Sequence, residues 1–212
     1  MKDNNTNKNI YTIDCEADGL NKFYNRQVFP NGNHFDRESR IWSFTICNGK
    51  YETVTFVSKI PNTRVLPGYY RNKNGVLCNH TIAYHESMNV VPKNITLSDN
   101  TNHQVIEITD YVQFLTKIRD AIEQCPTDIY FKGYGSHDYD RELIEVNLQR
   151  WHVNYDPNMF NKFVNVQPKY WKPTFAQIQA GGFVNNQQYM VNGITHNIED
   201  TIELMKYMNG DM

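Results

Sequence analysis

Apolar and polar positions alternate from the start of the first ordered-looking segment. Ile10, Thr12 and Asp14 fall on one side of it, and Tyr11, Ile13 and Cys15 on the other. That period predicts a strand. "SRIWSFTICNGKYETVTFVSKI" (39–60) carries β-branched and aromatic runs on both sides of Asn48-Gly49, which predicts two strands joined by a tight turn. The period then lengthens. Over 109–125, Val112, Phe114, Leu115, Ile118, Ala121 and Ile122 recur at helical spacing, with Thr109 as the candidate cap. "DIYFKGY" (128–134) reads as a short buried strand, "DRELIEVNLQRW" (140–151) as a helix and "TFAQIQAGG" (174–182) as a short helix ending at glycines. "NIEDTIELMKYMNG" (197–210) predicts a closing helix with Ile198, Ile202, Leu204, Met205 and Met208 inward. A hairpin followed by a strand and helices makes a mixed sheet with helices packed on it, an α/β fold. Residues 61–107 are rich in Asn, Pro, Gly and Thr. They are too long for plain loop in a compact domain, so irregular strands or a functional flap are expected there.

Composition narrows the class. The 212 residues suit one domain, and 40% apolar content with 13% aromatics is globular rather than disordered. No apolar run approaches the roughly 20 residues needed to span a bilayer, and the polar "MKDNNTNKN" start lacks a signal-peptide pattern, so no membrane partner and a cytoplasmic location are expected. Cys15, Cys47, Cys78 and Cys125 lie far apart without zinc-type spacing, which predicts reduced thiols. The net charge of −2 excludes a protein that grips nucleic acid through bulk positive charge, so any such contact must come from a local site. Abundant Asn and scarce Ala point to an AT-rich source, such as a phage or a low-GC bacterium.

The acids change the picture most. Asp14 and Glu16 stand two apart on a strand, so both carboxylates leave one face, where like charges repel. Asp140 follows a predicted strand at the start of a helix. Asp200 falls in the first turn of the last predicted helix, with His196 just before it. Four acids at the ends of three elements suit two hard divalent cations, Mg²⁺ or Mn²⁺, which would offset that repulsion. A neighbouring His is suited to take a proton from water.

These segments also resemble the motifs of a known family. "DCEADGL" (14–20) resembles the first motif, D-x-E followed by G-L, of the DEDD superfamily of 3′-5′ exonucleases. "YGSHDYDRELI" (134–144) is similar to the second motif, and "HNIED" (196–200) to the third motif of the His-bearing (DEDDh) branch. "SRIWSFTI" (39–46) is similar to the family's second strand. The motifs occur in family order and span nearly the whole chain, with residues 61–107 as an insertion.

The resemblance implies a ribonuclease H-like α/β fold in a single exonuclease domain over 1–212. It implies two divalent cations, Mg²⁺ or Mn²⁺, and the 3′ end of single-stranded DNA or RNA as partner. Asp14 would bridge both ions, Glu16 and Asp200 would bind the one that activates water, Asp140 would hold the other, and His196 would be the general base. Gly19 and Leu20 would meet the terminal nucleotide. Asp138 is the alternative to Asp140 in the second motif. Asp140 is preferred because Leu143 and Ile144 then fall three and four residues on, where the helix turns inward. Three residues separate His196 from Asp200, where the His-bearing branch usually has four. A catalytically silent nucleic-acid-binding module and a short-oligonucleotide ribonuclease are the alternative functions.

Overall fold

The computed structural model describes residues 10–17, 40–58, 69–71, 77–79, 90–133, 138–166 and 186–211. The first strand, β1 (Tyr11–Ala17), runs antiparallel to β2 (Ile41–Asn48), which pairs in turn with β3 (Thr53–Val57). The predicted hairpin is therefore present. Its turn is wider than a two-residue Asn-Gly turn: the Asn48 side chain accepts from the Lys50 and Glu52 amides, and Tyr51 takes φ 66°.

Residues 61–107 include a small hairpin of β4 (Tyr69–Arg71) and β5 (Leu77–Asn79). They also include β6 (Asn94–Thr96) and β7 (Asn102–Glu107), which extend the main sheet beyond β3. Helix α1 (Tyr111–Gln124) follows, then β8 (Ile129–Lys132), parallel to β1. Helix α2 (Tyr139–Arg150), a 3₁₀ turn and β9 (Phe163–Val166) come next, and α3 (Asn186–Asn209) closes the chain. The result is an α/β fold with a seven-stranded mixed sheet in the order β6-β7-β3-β2-β1-β8-β9, flanked by helices.

The two sides of the central strands differ in chemistry. Alternation sends Ile13, Cys15, Phe44, Ile46, Phe56 and Phe131 to one side, where they are buried and Phe44 stacks on Phe56 with centroids 6.5 Å apart. The other side carries Thr12, Ser43, Thr45 and Thr55, all fully buried. Their hydroxyls are satisfied: Thr45 and Thr55 pair at 2.9 Å, and Thr12 Oγ1 donates to Thr201 O of α3 at 2.7 Å. Asn197 Nδ2 of α3 reaches Ser43 Oγ at 3.3 Å. Small polar side chains on the sheet, and buried Gly193, Ile194, Ile198 and Thr201 on the helix, let α3 lie close against β1 and β2.

Three local expectations are corrected. Helix α1 is capped by Asp110, whose Oδ1 accepts from Gln113 N at 2.8 Å, one residue after Thr109. A carboxylate there satisfies an orphan amide and complements the helix dipole. Val112 is exposed, because the inward stripe is Tyr111, Phe114, Leu115, Ile118 and Ile122. The last helix begins at Asn186 rather than near residue 197, so Asp200 is mid-helix and His196 lies inside it. Gly193, Ile194 and Thr195 are weak helix formers that disguise this stretch, and burial against the sheet overrides them. The stretch 174–182 lies outside the described residues.

Candidate functional site

β1, β3, β7, β8 and β9 run in one direction, and their carboxyl ends share one edge of the sheet. Ligands of open α/β sheets tend to bind beyond such an edge. Asp14 and Glu16 stand near the carboxyl end of central β1, half-buried, on the side that faces α3. The register with β2 slips directly after Glu16, an irregularity of the kind often found beside functional sites.

Asp140 arrives from the first turn of α2 and is 5% exposed. It belongs to the helix's inward stripe with Leu143, Ile144, Asn147 and Leu148, so a carboxylate occupies what is otherwise a core position. Tyr111 of α1 helps hold that helix, its hydroxyl bridging Ile41 O at 2.9 Å and Asn147 Oδ1 at 3.0 Å. Asp200 comes from the middle of α3, one residue before the Thr201 carbonyl that anchors the helix on Thr12.

These acids share one electrostatic field. Burial, then the charges of Asp140, Asp200 and Glu16, push Asp14 well above the usual carboxylate range, and Lys132 pulls it back. Burial, then Asp200 and Asp140, raise Glu16 in the same way. The buried Cys15 thiol is raised by burial and by Asp140, Asp14 and Glu16, so it is a poor nucleophile. Asp140 and Asp200, distant in sequence from β1, thus come near enough to Asp14 and Glu16 to oppose the ionisation of both.

Asp138 is held differently. It precedes α2, and its Oδ1 accepts from Asn165 Nδ2 of β9 at 2.9 Å. Asn165 Oδ1 in turn accepts from Gly133 N at 3.1 Å, and a side chain at Gly133 would strike that amide. Asp140, not Asp138, is among the charges that raise Asp14 and Glu16.

His196 Nε2 stands 3.6 Å from Asp200 Oδ2, one helical turn away. The same oxygen accepts from Lys132 Nζ at 3.1 Å. Lys132 lies at the end of β8, on the same side of the sheet as Thr12 and Asp14, because Tyr130 is the partner of Thr12. Sequence reasoning passed over this lysine and Asn165. A lysine ending an otherwise apolar buried strand was the one available signal for the first, and none pointed to the second. Gly19 and Leu20 lie outside the described residues.

Among the described residues, no three His, Cys, Asp or Glu side chains form a ready-made metal-binding group. The donor set itself fits a hard divalent cation: oxygen ligands only, crowded and partly buried, with more acids than the one lysine, Lys132, found beside them among the described residues. No helix among the described residues is long and apolar enough to cross a membrane. No protein-family model matches the chain, and no curated protein is similar to it.

Proposed function

We propose that the chain is a metal-dependent 3′-5′ exonuclease of ribonuclease H-like fold. It would release nucleoside 5′-monophosphates from the 3′ end of single-stranded DNA or RNA. The observation that carries this reading is the common field of Asp14, Glu16, Asp140 and Asp200, brought to one sheet edge from β1, α2 and α3. The sheet order supports it. In β3-β2-β1-β8-β9 only β2 runs against the others, and such a mixed sheet flanked by helices is compatible with a ribonuclease H-like fold.

Asp14, Glu16, Asp140 and Asp200 would hold two Mg²⁺ or Mn²⁺ ions. When bound, these supply charge to the scissile phosphate and lower the pKa of water. The chain's own residues do the rest. His196, whose Nε2 stands 3.6 Å from Asp200 Oδ2, would take the proton of the attacking water. Asn165 keeps Asp138 apart from the acids, and the α3 contacts at Thr12 and Ser43 set the height of Asp200 over β1.

The test uses 5′-labelled and 3′-labelled single strands of DNA and RNA, with Mg²⁺ or Mn²⁺ and with chelator. Stepwise loss from the 3′ end that requires metal and vanishes in Asp14→Ala is the expected result. Tight binding without release of monophosphate would overturn it. That outcome belongs to the second reading, a catalytically silent nucleic-acid-binding module, which the Lys132 ammonium on Asp200 favours.

A further inference from the structure

Asp200 Oδ2 has Lys132 Nζ at 3.1 Å and His196 Nε2 at 3.6 Å, so the oxygen that would ligate an ion already carries an ammonium. Lys132 and Asp200 are only 17% and 12% exposed, so the pair is poorly screened by solvent. It bridges β8 and α3, two elements 68 residues apart in sequence at this point. Lys132 also sits beside Asp14 across the β1–β8 pair. Among the described residues, no three His, Cys, Asp or Glu side chains are gathered around a common point. An ammonium and a divalent cation cannot share one carboxylate oxygen without strong repulsion.

We propose that Lys132 is a placeholder cation: it neutralises Asp200 in the metal-free chain and is displaced when a divalent ion enters. The proposal rests on the metal-binding reading above and adds a residue to it. Metal loading at Asp200 then competes with an internal positive charge, so the ion on that side binds more weakly than the other. Without the lysine the metal-free site is more repulsive and its affinity for cations higher.

Calorimetric titration of the full chain with Mn²⁺ tests this for the unaltered protein, Lys132→Met, Lys132→Gln and Lys132→Arg. The two neutral variants are expected to bind the weaker ion about tenfold more tightly, and Lys132→Arg to resemble the unaltered protein. Melting in chelator should be lower for the neutral variants, and the rise on adding Mn²⁺ larger. A lysine that merely orients Asp200 predicts the reverse, weaker binding in Lys132→Met and Lys132→Gln, and that result or unchanged affinity overturns the proposal. Failure of both neutral variants to fold even with millimolar Mn²⁺ also overturns it, since the lysine is then structural. Folding rescued by Mn²⁺ supports it. No Mn²⁺ binding by any of the four proteins removes the metal-site reading itself, whereas binding that is indifferent to Lys132 removes only the placeholder.

Discussion

The two sides of the central sheet are built for different ends. One is large and apolar, with Ile13, Phe44, Phe56 and Phe131 buried and Phe44 stacked on Phe56. The other is small and polar, with Thr12, Ser43, Thr45 and Thr55 spent on hydrogen bonds and on seating α3. Asp14, Glu16 and Lys132 all leave the second side. Bulky side chains fill the first side, and the small ones of the second let the backbone of a helix come close. The contrast teaches that the acids' mutual repulsion is tolerated because burial on the far side of the same strands offsets it.

Phe44→Ala should produce the largest loss of stability, about 3–5 kcal/mol, as expected for a truncated core aromatic. Urea denaturation would measure it, and the fraction still folded should bind Mn²⁺ unchanged. A Phe44→Ala protein that stays stable but loses metal would break the division between the two sides. Thr45→Val attacks the polar side. It leaves the Thr55 hydroxyl without its 2.9 Å partner and should cost about 1–3 kcal/mol in the same assay.

Asp14→Asn should act in the opposite direction. Burial and the charges of Asp140, Asp200 and Glu16 all oppose ionisation of Asp14, so the variant should gain about 1 kcal/mol in chelator while losing 3′-end release. A loss of stability there would show that the carboxylate is held by something other than repulsion.

A pH titration sharpens the same point. Asp14 and Glu16 have folded-state pKa values above their ordinary ones. Their contribution to stability is fully present below about pH 4 and is lost as pH rises through the raised values. In chelator, the double variant Asp14→Asn, Glu16→Gln should therefore show a melting temperature that falls less with rising pH than the unaltered protein does. Mn²⁺ should flatten the unaltered protein's slope.

The smallest expected effect belongs to Asp138→Asn. An amide oxygen still accepts from Asn165, so stability should change by less than about 0.5 kcal/mol and 3′-end release should persist. Asp140→Asn should abolish that release. Equal losses in both variants would return Asp138 to the site.

Much of this was legible in the chain. The i, i+2 spacing put Asp14 and Glu16 on one face, and Leu143 and Ile144 placed Asp140 on an inward helical stripe. The start of α3 was not, because Gly193 and Thr195 carry little helical signal and the helix is held by what it packs against. Nor was the place of β7, whose partner β3 is supplied from a distant part of the chain. Asp138 and Asp140 differ locally by two positions only, and the contact that separates them comes from Asn165, 27 residues beyond Asp138.

By itself the sequence determined the periods of β1, β2 and α1 and the direction in which neighbouring acids point, because covalent geometry sets those over a few residues. Tertiary structure alone decided that Asp14 and Glu16 feel the charges of Asp140 and Asp200, and that Lys132 rather than His196 stands nearer to Asp200. Such approaches follow from how sheet and helices bury one another, and charges separated by a hundred residues leave no local pattern to read.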